Sequence, residues 1–543
     1  MSHTSVTMEA IGNNSTLGND PTTGSFITSE FDASQAGKLI FAGLACLYVY
    51  NTISSLFFGV KAPYVGHRSF FEPAWLVGLR FVRGSGPMIK EGYRKYKNGM
   101  FKVRRNDSDI LVISNKHVEQ LRALPDEKIS AIRGHIKNLL GRYSTTLILL
   151  ESDLHTQVLQ QKLTPNLSNT IPVVKDELDF ALEVEVPKCD DWLNVQIYEI
   201  LLRIVARISA RVFLGPGACR NEEWLATSIH YTENVFGTVM TLRRAPAILH
   251  PILAPLLPSY WGVHANLRTA KRIIGPIVRE RRAAAQAGDP HKGEDLLQWM
   301  MDAANEHDGQ PDKLAHRQLL LSLASIHTTT MAAAHALYDL CAHPQYFEPL
   351  REEIIAVLRE DGGWKKTTLN KMRKMDSFMK ESQRMNPPSL LAFNRIVRSP
   401  ITLSDGTVLP KGTHFSMASD EVMHDPEFLA GGGDPSEFDP FRYSRLRDES
   451  AENANRYQFA TTDKNSLHFG HGKYSCPGRF FASNEIKIIM AHLLLRYDFK
   501  YPAGQGRPVN LSADENLYPD PTARLLMREA VSVDEGLKKF VGL

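Results

Sequence analysis

Hydrophobic positions change their spacing from one region of this chain to the next. Residues 1–35 are rich in Ser, Thr, Asn and Gly with little to bury, which predicts disorder. Leu39 to Phe58 follows as LIFAGLACLYVYNTISSLFF, an uncharged stretch of about the 20 residues needed to cross a bilayer. Beyond a turn-forming hinge at Lys61-Ala62-Pro63, two β-like runs, Phe101 to Arg104 and Ile110 to Ile113, flank the turn signal Asn106-Asp107. Helical spacing then takes over in Asn115–Leu124, Asn194–Val212 and Val263–Ala285. The basic stretch in the last reads as a solvated face or as a surface for lipid headgroups. From about Pro311 to Ala342 runs one apolar-rich segment without internal Gly or Pro, the pattern of a helix that traverses a domain. Leu369–Met385 and Gly478–Tyr497 are further helical runs. Between Phe393 and Met417 strand signals return, with Ser404-Asp405-Gly406 and Pro410-Lys411-Gly412 as tight turns. The fold class expected is mainly α with small β-sheets.

Length alone would suggest about three domains at roughly 100–200 residues each. No linker or charge block divides the chain after residue 62, so residues 61–543 read as one large domain, and no internal repeat is present. A hydrophobic fraction of 43% and a net charge of +3 are ordinary for a globular protein and give no reason to invoke nucleic acid. The cysteines, Cys46, Cys189, Cys219, Cys341 and Cys476, are odd in number and scattered, which argues against a disulfide framework and for a reducing compartment.

A buried core helix is the competing reading of Leu39–Phe58. Two flanking features favour a membrane anchor spanning residues 36–60. The preceding segment lacks the basic region of a cleaved signal peptide. Acidic Glu9, Asp20, Glu30 and Asp32 precede the stretch, whereas Lys61, His67 and Arg68 follow it, an asymmetry softened by Lys38. Lys/Arg bias puts the following side in the cytoplasm. The expected placement is a single-pass protein of the endoplasmic reticulum membrane with a lumenal N-terminus. Asn13 and Asn14 each begin a glycosylation sequon on that lumenal side.

Chemistry concentrates in Phe469-Gly470-His471-Gly472-Lys473-Tyr474-Ser475-Cys476-Pro477-Gly478-Arg479. Glycines upstream permit a tight backbone around the sulfur. Pro477 suits the first position of a helix. The positive end of that helix is expected to lower the Cys476 pKa and favour the thiolate, the form that binds metal. A buried structural cysteine is the plainer alternative. The offsets of Phe469, Gly470, Cys476 and Gly478 instead resemble the haem-ligand loop of the cytochrome P-450 superfamily. That resemblance implies haem b with Cys476 as the axial iron ligand, Phe469 packed by the porphyrin, and the superfamily's fold preceded here by a single transmembrane helix. Family members often carry Arg two residues before the cysteine, where this chain has Tyr474. Either Lys473 supplies the cation to a haem propionate or Tyr474 a weaker hydrogen bond.

Two further motif groups occur in the order the resemblance expects. Glu381 and Arg384 share one face of a helical run, and Phe438-Asp439-Pro440-Phe441-Arg442-Tyr443 supplies a second arginine. These resemble the buried Glu-Arg-Arg network of the superfamily, with a structural role in making the haem site. Ala324-Ser325-Ile326-His327-Thr328-Thr329 resembles the oxygen-binding pattern, with Ser325 replacing the usual glycine and His327 the usual acid. Ala324 and Thr328 lie one helical turn apart on one side. Thr328 would govern protonation of bound oxygen. His327 is either a proton carrier, with an ordinary pKa of about 6.5, or a packed core histidine. No Trp-x-x-x-Arg pattern occurs in Leu154–Gln160; His155 is one substitute, and an ordinary surface or core histidine is the other reading.

The resemblance spans about Ala62 to the C-terminus and implies a monooxygenase that places one oxygen atom of dioxygen in a substrate and releases the other as water. No flavin domain is visible, so electrons would come from NADPH through a separate membrane-bound reductase. SIHTTTMAAAHALYDLCAHP and FGHGKYSCPGRFFA look like microsomal fungal enzymes of secondary metabolism, which points to a polycyclic terpenoid: a diterpene, indole-diterpene or meroterpenoid. A polyketide, alkaloid or sterol would use the same catalytic parts. Substrate-facing segments are expected around Thr145–Leu150, Val235–Leu242, Ser389–Phe393 and Tyr518–Pro521. A haem-dependent isomerase or dehydratase and a non-catalytic haem sensor or carrier are the other classes; substrate-dependent NADPH consumption separates them from a monooxygenase.

Overall fold

Thirty-two residues from Pro311 to Ala342 form the longest helix, with the bounds its pattern predicts. Pro311 opens it because the missing N–H would be unpaired there, and most of its positions are buried on every side. The computed structural model describes residues 35, 37–38, 42–43, 46, 60–69, 71–289, 293–530 and 540. The chain divides into Met1–Gly59 and Val60–Leu543, and the second unit carries everything below. The expected disordered N-terminus before Gln35, Asn13 and Asn14 lie outside the described residues, as does the expected anchor apart from isolated positions. No helix of the described residues is long and apolar enough to cross a membrane.

The helices that position the site are α1 (Ala131–Asn138), α2 (Ile197–Leu214), α3 (Glu222–Leu242), α4 (Pro258–Gln286), α5 (the central Pro311–Ala342), α6 (Arg373–Met385), α7 (Arg442–Asp448) and α8 (Arg479–Arg496). Helices α2, α3, α4, α6 and α8 all pack on α5. Their apolar faces join one core, with Leu319, Ala333, Ala334 and Leu337 of α5 at its centre.

Strands are β1 (Met100–Arg104), β2 (Asp109–Ile113), β3 (Ile129–Ser130), β4 (Leu193–Val195), β5 (Ala392–Val397), β6 (Ile401–Thr402), β7 (Val408–Leu409), β8 (His414–Met417), β9 (Tyr497–Lys500), β10 (Leu511–Ala513), β11 (Asn516–Tyr518) and β12 (Leu525–Glu529). The five-stranded sheet has the order β1-β2-β8-β5-β3; β2 and β8 run parallel, and the other pairs are antiparallel. A bulge interrupts the β5–β8 register between Ala392 and Arg395. It coincides with Phe393, whose φ of 59° is unusual for a side chain of that size. Smaller sheets are β4-β12-β9, β6-β7 and β10-β11.

Several boundaries differ from those expected. Leu193–Val195 pairs with β12, so the next helix starts at Ile197 rather than Asn194. The run Leu369–Met385 is two helices, Lys366–Lys371 and α6, separated at Met372 by a non-helical ψ of 69°. Glu353 explains the restart: its carboxylate accepts the amides of Lys374 at 2.7 Å and Met375 at 2.9 Å, groups free at a helix N-terminus. Asn115–Leu124 resolves into a 3₁₀ turn, Asn115–His117, and a short helix, Val118–Arg122.

Candidate active site

The Cys476 loop is folded by its glycines. Gly470 and Gly472 have φ of 68° and 76°, a region open to glycine at little cost. A Cβ on Gly472 would stand 2.8 Å from Cβ of Arg122. The turn Gly472–Tyr474 brings the Cys476 amide back to the Phe469 carbonyl, to which it donates at 2.7 Å. Phe469 packs edge-on against Phe459 with ring centres 5.4 Å apart. Helix α8 begins at Arg479 with Gly478 as its cap, so Pro477 lies just before the cap and not at the first helical position.

The thiol's electrostatics also differ from expectation. Burial is the largest effect and holds the Cys476 pKa above its ordinary value. The amides of Gly478 and Arg479 and the Arg479 charge pull it down, but by less. Cys476 nevertheless retains accessible surface. A side chain both sunk deep in the protein and accessible borders interior space.

The central helix shows the same signature. Ala324 and Thr328 are exposed although Ile326, Thr329 and Thr330 beside them are buried. These two residues are one turn apart, so a single interior hollow flanks that side of α5. Thr328 donates its hydroxyl proton to the Ala324 carbonyl at 2.7 Å, with the Ser325 carbonyl at 3.2 Å. His327 points elsewhere, its Nε2 lying 3.3 Å from the Ile229 carbonyl of α3. Burial lowers its pKa, and the bond to Ile229 partly opposes that shift.

Below the loop, Glu381, Arg384 and Arg442 come together in full burial. Arg384 binds Glu381 through two parallel contacts of 2.8 Å and donates to the carbonyls of Pro435 at 2.7 Å and Glu437 at 3.0 Å. Arg442 Nε stands 3.6 Å from Glu381 Oε1, and its guanidinium donates to the Gly432 carbonyl. The Asp439 amide also donates to Glu381, at 3.0 Å. One carboxylate thus ties α6 to the start of α7, the segment that leads to the Cys476 loop.

Whether the residues fit a haem is tested by the remaining polar atoms. Arg395 of β5 is 2% exposed, and its Nε and one terminal nitrogen have no partner. Its guanidinium lies 4.0 Å from the Phe393 ring centre and 5.5 Å from that of Tyr474. Burial lowers the Arg395 pKa to about 10, against weaker upward effects of Tyr474 and Asp126. His135 of α1 is accessible yet deeply set. Burial first, and then the Arg395 charge, bring its pKa to about 4. A buried cation with unsatisfied donors, a neighbouring imidazole and an accessible thiol fit an iron macrocycle bearing carboxylates. Lys473, by contrast, is exposed and lies over the Tyr474 ring at 5.5 Å. His155 faces Arg317 at 3.3 Å.

Sequence reasoning missed Arg395 because no spacing motif marks it. The available signal was a lone arginine inside the strand run Leu391-Ala392-Phe393-Asn394-Arg395-Ile396-Val397.

Comparison with known proteins agrees with this geometry. The cytochrome P450 family pattern matches residues 69–527. The chain is 68% identical over 506 residues to cytochrome P450 monooxygenase AN1598 of Emericella nidulans, covering 93% of this chain and 94% of that protein. It is 47% identical over 497 residues to ent-kaurene oxidase P450-4 of Gibberella fujikuroi, covering 91% and 97% respectively. Among solved structures it resembles retinoic acid-bound cyanobacterial CYP120A1 with a TM-score of 0.65 at 20% identity, over 87% of this chain and all of that one. The last likeness concerns the fold alone.

Proposed function

From the premise that this chain belongs to the cytochrome P450 family, we propose that it oxidises a polycyclic terpenoid in fungal secondary metabolism, using Cys476 as the haem-iron ligand. It is an oxidoreductase of the haem-thiolate monooxygenase type. When bound, haem activates dioxygen, with thiolate donation favouring cleavage of the O–O bond. The observation that carries the assignment of Cys476 is its combination of deep position and accessible surface where the amides of Gly478 and Arg479 converge. Such a sulfur would hold the haem iron as its thiolate, because a coordinating thiol is deprotonated outright.

The surrounding residues divide the remaining work. Gly470 and Gly478 would keep the loop clear of a bound macrocycle, and Phe469 would pack beside it. Arg395 and His135 offer donors to its carboxylates, in preference to Lys473. Glu381, Arg384 and Arg442 hold the loop's approach. Thr328 would border the reacting side, with a hydroxyl that donates here to the Ala324 carbonyl. His327, turned toward Ile229, contributes to packing of α3 on α5 in this arrangement.

Similarity to an ent-kaurene oxidase supports the terpenoid class. Electrons come from NADPH through a separate reductase. The proposed location is the endoplasmic reticulum membrane, with Leu39–Phe58 as the anchor and Val60–Leu543 in the cytoplasm. Exposed Ile248, Ile252, Leu256 and Trp261, between or near the ends of α3 and α4, support a second contact with lipid. Deleting residues 1–60 is therefore expected to weaken membrane binding while leaving haem bound.

The assignment of Cys476 is tested by Cys476→Ser, which is expected to abolish the red-shifted ferrous–carbonyl band of thiolate-bound haem; an unchanged band overturns it. Incubation of enzyme-containing microsomes with candidate terpenoids under isotopically labelled oxygen tests the substrate class. Label in a polyketide or sterol but in no terpenoid overturns that part.

A further inference from the structure

Arg243 caps the C-terminal end of α3 and is 2% exposed. Its guanidinium meets the carboxylate of Asp514, in the turn between β10 and β11, and donates to the carbonyl of Asn138, the last residue of α1. Glu515, next to Asp514, lies 3.4 Å from Arg105 of the β1–β2 turn and 3.8 Å from Arg243. Arg105 also holds Asp107 at 3.1 Å and donates to Oδ1 of Asn138 at 3.0 Å. Two guanidiniums and three carboxylates thus share one cluster, each with a side chain no more than 5% exposed.

Such a cluster is a poor source of stability. Desolvating the charges costs free energy that their pairing returns only in part, and apolar side chains of similar volume are often at least as stable. Nε of Arg243 and Oε2 of Glu515 have no hydrogen-bond partner. Burial, and then the Arg105 charge, lower the Arg243 pKa to about 10 against the opposing pull of Glu515 and Asp107. What the cluster supplies instead is a single arrangement, since parting any pair strands a buried charge.

The segments it joins are those expected to face substrate. Arg243 directly follows Val235–Leu242. The Glu515 carbonyl accepts the Leu390 amide at 2.7 Å and the Ser389 hydroxyl at 3.2 Å, and the Leu517 amide donates to the Pro388 carbonyl at 3.3 Å. The β10–β11 hairpin is therefore bound along Ser389–Phe393 and runs into Tyr518–Pro521. Asn138 ends the helix that leads to Thr145–Leu150. Elsewhere the hairpin turn is fixed by its backbone: the Asp514 amide donates to the Val82 carbonyl and its carbonyl accepts the Ser85 amide, both at 2.9 Å.

Backbone strain falls on the same segments. Among the described residues five that are not glycine have a positive φ, and four of them lie in or beside these stretches: Leu140 at 47°, Thr145 at 60°, Phe393 at 59° and Asp514 at 59°. That conformation is an outlier for bulky or β-branched side chains. It persists where the surroundings over-determine it, and it gathers at sites that clamp ligands.

We propose that Arg243 is a positioning residue: through Asp514, Glu515 and Asn138 it locks the ends of α3 and α1 and the β10–β11 hairpin together, and so fixes the outline of the pocket that selects which face of a rigid polycyclic substrate is presented for oxidation. The inference rests on the haem monooxygenase reading. Arg243 touches neither substrate nor cofactor in this role and acts only through the walls it holds. Loosening the cluster widens the choice of bound orientations without altering the Cys476 loop.

The test uses the full-length, haem-loaded protein and the double variant Arg243→Met/Asp514→Asn. One charge of each sign is removed, so the net charge of the cluster is kept, and asparagine tolerates the positive φ at 514. The double variant is expected to unfold near the wild-type temperature, whereas Arg243→Met alone, which strands Asp514, unfolds lower. Pocket outline is read by absorbance titration of the ferric haem with imidazole, 1-phenylimidazole and 4-phenylimidazole. Imidazole needs little beyond the iron and should bind both proteins alike. The two phenyl isomers carry their ring in different directions, so the ratio of their Kd values reports the walls. In the double variant that ratio is expected to move about fivefold toward one, within the range of coupling between members of one buried network. An unchanged ratio with intact imidazole binding overturns the positioning role alone. A double variant that loses imidazole binding, or unfolds as low as Arg243→Met, also overturns it, because the cluster then serves to hold the fold. A wild type whose haem takes up none of the three ligands overturns the monooxygenase reading together with the proposal.

Discussion

Arg384 and Arg395 are buried to the same degree, each 2% exposed, yet they live in opposite electrostatic conditions. Burial pulls the pKa of both downward. At Arg384 the two contacts to Glu381 outweigh that pull and leave the pKa raised. At Arg395 burial wins and brings it to about 10. Arg384 also has carbonyl acceptors at Pro435 and Glu437, whereas Arg395 has one bond, to the carbonyl of its neighbour Asn394, and two nitrogens without a partner. A guanidinium desolvated without acceptors is unfavourable for the protein alone. The difference separates a cation whose bonds are complete within the fold from one for which the fold supplies a single acceptor.

The largest effect is expected on the completed side. Glu381→Ala leaves Arg384 and Arg442 without their shared acceptor and should lower stability by about 3–5 kcal/mol, the cost of stranding buried charge. Denaturant unfolding measures the loss, and little haem-loaded protein should accumulate. A spectrally normal, stable holoenzyme would sink the network.

Arg395→Met should behave differently. Replacing a buried charge by an apolar side chain of similar length is often neutral or stabilising, so unfolding of the haem-free protein should change little. Haem transfer to an excess of a haem-scavenging protein should quicken, as each charge-assisted bond lost is worth about 1.5–3 kcal/mol. If Arg395→Met weakens the haem-free fold as much as Glu381→Ala does, the contrast between the two arginines fails.

Tyr474→Leu should sharpen the same comparison with a smaller change. It removes the more distant of the two rings beside Arg395, a contribution of about 0.5–1 kcal/mol. A few-fold rise in haem loss is the expected result. Tyr474→Arg, the more usual residue two places before the cysteine, should reverse it.

The smallest effect near neutrality is the acid response. Burial lowers His155, His316 and His492 to about 4. Between pH about 6.5 and 4 the unfolded chain takes up protons that these rings refuse in the fold, so stability falls as pH drops through that window and levels below it. Their contributions should be fully present above pH 6.5. Unfolding measured at stepwise pH checks the sign; constant stability from pH 7 to 4 contradicts the neutral, buried assignment.

How far the sequence disclosed these regions follows from the range of the interactions. The central helix was legible end to end because Pro311 starts it and an unbroken apolar pattern sustains it. Glu381, Arg384 and Arg442 were legible as a group because two local motifs carry them. Arg395 was not, since its importance comes from a bulge at Phe393 and from Tyr474, some 80 residues away. The break at Met372 escaped for a similar reason: it depends on Glu353 supplying acceptors from a neighbouring helix. The direction of the Cys476 shift required the weight of burial against two amides, which no local pattern reveals.

One feature of the large sheet bears on how the protein is made. Val112 of β2 pairs with Ser416 of β8, about 300 residues later. At roughly 5–20 residues per second a ribosome needs about 15–60 s to supply that partner. Throughout that interval the nascent β1–β2 hairpin carries an open hydrogen-bonding edge, the kind of surface on which chains pair wrongly. Cys476 emerges later still, so cofactor loading belongs to the last stage of biosynthesis, and yield in a heterologous host should depend on chaperones that shield the early hairpin as much as on haem supply.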